Sequence, residues 1–183
     1  MKLSKKLLFP LSVLSLFIIN SHQSFAATSI TGTVGVSMTL IGSCLINGSQ
    51  VTNNSSFGNL DFGTQNSLFS QATSTVQGSG GTQMTITCNA GAGSTPTITL
   101  VSGANDTNAS DSYNHAMKNG SSYINYSLYS DPGHNTVIQP NTAFFQSQNT
   151  GSAETVAIYG KAVGKSGLAL GSYTDTITLK IDF

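Results

Sequence analysis

Two segments, one near each end of the chain, alternate apolar and polar side chains with a period of two, and no other feature narrows the possible folds as much. In "GSYTDTITLKIDF", residues 171–183, Tyr173, Ile177, Leu179, Ile181 and Phe183 share one face, and Thr174, Thr176, Thr178, Lys180 and Asp182 share the other. In "ITGTVGVSMTL", residues 30–40, the even positions Ile30, Gly32, Val34, Val36, Met38 and Leu40 oppose Thr31, Thr33, Gly35, Ser37 and Thr39. Successive side chains of a strand point to opposite faces, so both segments predict half-buried strands. The first begins before either cysteine, which raises the question of what its apolar side is buried against.

The intervening chain repeats the pattern in shorter pieces. "TQMTITC" sets Met84, Ile86 and Cys88 on one face, and "TPTITLVSG" does the same for Ile98 and Leu100. "YINYSLYSD" opposes Ile124, Tyr126 and Leu128 to Tyr123, Asn125, Ser127 and Tyr129, which suggests an aromatic outer face beside a core face. "ETVAIYGKAV" opposes Val156, Ile158 and Gly160 to Thr155, Ala157 and Tyr159. A short strand is expected in "FGNLDFG" at 57–63, an exposed loop or weak edge strand at 65–81, and loop at 103–120. Asn47-Gly48 and Asp131-Pro132-Gly133 read as turns. No stretch longer than about ten residues has a helical period, so the expectation is one all-β domain, a sandwich with Greek-key connections.

Residues 1–26 stand apart. Lys2, Lys5 and Lys6 precede an apolar run that reaches Ile19, and Ser24 and Ala26 suit cleavage after Ala26. This is the pattern of a signal peptide; broken by Pro10, it is a poor membrane span, so no membrane insertion is expected. Without it, Lys118, Lys161, Lys165 and Lys180 face seven acidic residues, a net charge of −3, and the chain has no arginine. So few cations give no basic stripe for phosphates or an anionic bilayer, and neither nucleic acid nor membrane surface is an expected partner.

Two cysteines in an exported chain permit one bridge, Cys44 to Cys88, the alternative being two free thiols. A loop of that length gives about 4 kcal/mol in the chain-entropy treatment. Catalytic chemistry is hard to find. His115 and His134 sit among polar loop residues and read as solvated surface histidines; no catalytic residue, metal ligand or cofactor is assigned. "GSGG" at 78–81 lacks the lysine of a phosphate-binding loop.

Taken in order, "TGTVGV" before "GSC", "LDFG" at 60–63, "ITC" at 86–88, "INYSLYSD" at 124–131, "VAIYGKA" at 156–162 and the closing "GSYTDTITLKIDF" resemble the spore coat protein U domain found in major subunits of archaic, Csu-type chaperone-usher pili. The resemblance implies an immunoglobulin-like β-sandwich lacking its final strand, residues 38–183, preceded by an N-terminal donor-strand extension, residues 27–37. The donor positions would be Thr28, Ile30, Gly32, Val34 and Val36, and the acceptor groove would be lined by Tyr173, Ile177, Leu179, Ile181 and Phe183. It implies head-to-tail assembly with identical or related pilin subunits, a periplasmic chaperone, an outer-membrane usher, and display at the cell surface as a pilus that supports attachment and biofilm formation.

Physical chemistry makes that scheme reasonable, because an open sheet edge beside apolar side chains leaves backbone groups unpaired and a groove unfilled. Burying Ile30, Val34, Val36 and Met38 at about 1.5 to 3 kcal/mol each yields roughly 6 to 12 kcal/mol before ordering costs. Gly32 reads either as a shallow place in the groove or as a bulge. Two alternatives remain at this point. The strand could complete its own sheet in a monomeric secreted binding module, lectin-like or of spore-coat type; or it could be divided, with Ile30–Val36 donated and Met38–Cys44 retained.

Overall fold

Strand formation follows the period-two pattern wherever a partner strand exists. The computed structural model describes residues 29–110 and 112–183, so the proposed leader, Ala27 and Thr28 lie outside it. The chain divides into two units, with the boundary between Met38 and Thr39. In the first, residues 29–38 form no strand, and Ile30, Val34, Val36 and Met38 are 83–92% exposed. The strand expected at 30–40 is therefore absent from the single chain. An extended segment becomes a strand only when its N–H and C=O groups join a ladder, whatever its side-chain pattern.

In the second unit, eleven strands are found among the described residues, all antiparallel, in three sheets. The first sheet is β2 (Ser49–Gln50), β1 (Ser43–Ile46), β4 (Thr85–Asn89) and β9 (Ala153–Thr155) in that spatial order. The second is β3 (Gln71–Thr75), β10 (Tyr159–Val163), β7 (Ser122–Tyr129) and β6 (His115–Asn119). The third is β11 (Ile177–Asp182), β5 (Thr97–Gly103) and β8 (Ala143–Gln146). Only β1 with β2 and β6 with β7 are neighbours both in the chain and in a sheet; the other pairings join strands distant in sequence. The fold is of the expected all-β class.

All three sheets turn their apolar faces to one core. Ile46, Ile86, Ile98, Leu100, Tyr126 and Leu128 are each at most 3% exposed there. Cys44 and Cys88 face each other across β1 and β4 and form the disulfide, with neither residue exposed. Asn47 and Gly48, at φ 50° and 74°, make the two-residue turn between β1 and β2, a conformation that Asn-Gly tolerates better than other pairs.

Several elements differ from the sequence expectation. "FGNLDFG" is no strand; it is held by a bridge from Asn59 to Gln77, beyond β3, and by the Ser74 hydroxyl of β3 donating to the Asp61 carbonyl at 2.6 Å, and it lays Leu60 and Phe62 on the core. Leu60 and Phe62 lie so near β10 that a Cβ on Gly160 would come within 2.6 Å of Leu60. "ETVAIYGKAV" is two strands, because the chain crosses from the first sheet to the second at Val156–Ile158; its inward face is nevertheless buried, with Val156 and Ile158 at 1% and 2% exposure. Residues 103–120 contain β6, and 143–146 form β8. The outer face of β7 is covered at its end, where Tyr129 is buried against His134 and below Lys161.

Candidate functional site: a groove beside the last strand

β11 has β5 as its one strand neighbour among the described residues, so its other edge carries unpaired backbone groups. Along that edge runs a groove of about 1310 Å³. One wall is β11 and the residues before it. The other is the irregular segment 51–62, with Val51, Phe57, Leu60 and Phe62, and the floor is formed by Val76, Met117, Tyr126, Leu128 and Ile158. Each residue singled out in the C-terminal alternation lines this groove: Tyr173, Ile177, Leu179, Ile181 and Phe183. Their inward face is only half-buried, and Phe183 is 57% exposed, whereas the core strands reach 0–3%.

The last strand starts later than the sequence pattern, which begins at Tyr173. Residues 173–176 cross between sheets instead. Thr174 exchanges backbone hydrogen bonds with Lys118 on β6, at 2.8 and 3.1 Å, while the carbonyl of Thr176 accepts from Ala104 beyond β5 at 3.0 Å. Between them, Asp175 accepts a hydrogen bond from the Tyr126 hydroxyl at 2.8 Å and another from the Asn105 amide at 2.8 Å. Burial, and then the neighbouring Asp175 carboxylate, push the Tyr126 hydroxyl well above the ordinary tyrosine range.

A second carboxylate stands beside the first. Asp106 accepts from the Gly103 amide at 2.6 Å and contacts His115 Nδ1 at 2.7 Å. Both carboxylates converge over Gly103, where a Cβ would meet an Asp106 oxygen at 2.3 Å and an Asp175 oxygen at 2.9 Å. His115 is therefore a fully buried histidine held by Asp106, and the surface reading of it is corrected. The reading of His134 changes as well: it is half-buried, with its ring centroid 5.1 Å from that of Tyr129 and 6.3 Å from that of Tyr159. Sequence reasoning missed the Asp106, His115, Tyr126 and Asp175 cluster. These residues are joined by the crossing of sheets, and their spacing along the chain carries no signal.

The donor positions Ile30, Gly32, Val34 and Val36 lie in the exposed segment, and Thr28 lies outside the described residues. The family model of the Spore Coat Protein U domain matches residues 30–180. The chain belongs to this family. No match was found among curated proteins. Among solved structures, the Spore Coat Protein U chain is similar, at 19% identity and a TM-score of 0.48, to a chain of the CsuC-CsuE chaperone-tip adhesion subunit pre-assembly complex from archaic chaperone-usher Csu pili of Acinetobacter baumannii. The likeness covers 79% of this chain and 40% of that one.

Proposed function

We propose that this Spore Coat Protein U domain is the structural subunit of an adhesive pilus and polymerises by donating residues 28–37 of one copy to the groove beside β11 of the next. The observation that carries the reading is the pairing of two incomplete features in one chain. One is a groove lined by Tyr173, Ile177, Leu179, Ile181 and Phe183, with a free strand edge along β11; the other is an exposed segment with apolar side chains at alternate positions. Strand addition suits both, since backbone hydrogen bonds supply affinity and alternate side chains fill the groove. A donor at one place and an acceptor at another make a heterologous contact, which extends into an open filament when its rotation does not close.

In this reading the chain is exported through the periplasm after loss of residues 1–26. A periplasmic chaperone covers the groove until an outer-membrane usher exchanges it for the arm of the next subunit. The fibre then serves attachment and biofilm formation. The test is Val34→Asp in the full-length chain. It places a carboxylate where an apolar side chain enters the groove, at a cost of several kcal/mol unless the group is paired. The expected result is a subunit that folds and binds its chaperone but gives no ladder on an unheated denaturing gel, where wild-type fibres give one that collapses on boiling. Normal fibres from the variant defeat the donor assignment, and a single unheated wild-type band favours the monomeric binding module.

A further inference from the structure

The groove does not stop at Tyr173. Leu60, Phe62, Met117 and Tyr173 also line a second cavity of about 420 Å³, which continues between the loop at 60–69 and the loop at 168–173. The backbone of the second loop is fixed. The Tyr173 hydroxyl lies 2.7 Å from Ser122 Oγ and 2.9 Å from the Ala169 carbonyl, and the Asn119 amide donates to the Leu170 carbonyl at 3.1 Å. Yet the Leu170 side chain is 84% exposed, and Leu68 in the facing loop is 86% exposed. Large apolar side chains held out on anchored backbone at the mouth of a cavity mark a contact surface.

The chain also carries the segment that fits it. Met38, Leu40 and Ile41, immediately after the proposed donor residues, are 83%, 85% and 85% exposed, and β1 of their own domain begins only at Ser43. Residues 30–40 and residues 173–183 each span ten residue steps, roughly 33 Å when extended. Every strand pair in the domain is antiparallel. An arm added to β11 in the same sense brings Ile30 toward Phe183 and Leu40 toward Tyr173, so that Met38 and Leu40 reach the second cavity.

We infer that this cavity is a second docking point between copies of the chain, taking Met38 and Leu40 of the incoming subunit. The inference rests on the donor-strand reading and adds a function to it: the grip fixes the angle of the joint. Only Gly42 separates Ile41 from β1, and a Cβ there would lie 2.9 Å from the Ala90 Cα, so the arm leaves its own domain at a closely packed backbone position. Held at both sides of Gly42, successive subunits have little room to swivel.

The experiment uses fibres of the full chain carrying Leu40→Asp, Leu170→Asp, both together, or Leu40→Lys with Leu170→Asp, beside Val34→Asp. Dissociation in mild denaturant is followed by loss of the gel ladder, and fibre bending is measured by electron microscopy. Each single change at 40 or 170 is expected to speed dissociation at least tenfold and to make fibres more flexible. The two aspartates together should be no worse than the worse single variant, and the Lys–Asp pair should recover part of the loss. Wild-type lifetime and stiffness in Leu170→Asp, with Val34→Asp still blocked, overturn the docking point and leave the donor reading standing. Normal fibres from Val34→Asp overturn both. If Leu170→Asp fails to accumulate, Leu170→Ser takes its place: faster dissociation supports the docking point, and wild-type lifetime overturns it.

Discussion

Asp175 is the residue on which the position of the last strand turns. Its neighbours Thr174 and Thr176 bond to different sheets, and its carboxylate is fixed by Tyr126 and Asn105. Hydrogen bonds to a charged acceptor contribute about 1.5 to 3 kcal/mol each, so Tyr126→Phe is expected to lower stability by about that amount in denaturant unfolding at pH 7. The pH dependence gives a finer test. The folded-state pKa of Tyr126 is raised, so at alkaline pH the unfolded chain releases a proton that the folded chain keeps. That contribution is fully present below about pH 10 and is lost as pH rises further, by about 1.4 kcal/mol per pH unit. The alkaline limb of the stability curve should therefore be less steep in Tyr126→Phe than in wild type; equal slopes refute the buried, carboxylate-bonded hydroxyl. The alternation at 123–129 put Tyr126 on the core face, but its carboxylate partners could not be read from the chain, because "YNHAM" has the composition of a loop and His115 is internal only through Asp106 and the strand across from it.

Among the elements, those with clean alternation and a partner strand were legible: β4, β5 and β7 bury the residues their pattern nominates, and β11 half-buries its own along the groove. β6 and β8 were not. "HAMKN" mixes charge with small residues, and "AFFQ" is too short for a period to show. The groove was legible by half. The β11 wall follows from the final alternation, whereas the wall at 51–62 has no strand and is defined by where Phe57, Leu60 and Phe62 pack. Such packing depends on tertiary neighbours and leaves no local trace. The disulfide joins β1 and β4 in register. Replacing both cysteines with alanine is expected to destabilise the domain by about 4 kcal/mol, from the loop that Cys44 and Cys88 close, as read by the shift in denaturant midpoint. A loss below about 1 kcal/mol means that the unfolded chain is already confined by other means.

For the whole molecule, the decisive quantity is whether a groove meets an arm from its own chain or from another. In the proposed assembly the arm belongs to the next copy, so length grows with subunit concentration. Moving residues 28–41 from ahead of β1 to a position after Phe183, behind a short Asn-Gly-containing turn, reverses that choice. The arm then returns antiparallel along β11 as the second strand of a hairpin. A short tether gives an effective concentration on the order of millimolar, far above that of free subunits in solution, so the internal arm wins the competition. The rearranged protein is expected to be a monomer at every concentration, to show no ladder on an unheated gel, and to melt at a higher temperature than a subunit whose arm carries Val34→Asp. Gel filtration and thermal unfolding measure both properties. A rearranged chain that still forms fibres, or melts no higher than the variant, shows that the segment and the groove do not match, since proximity alone would then have failed to join them.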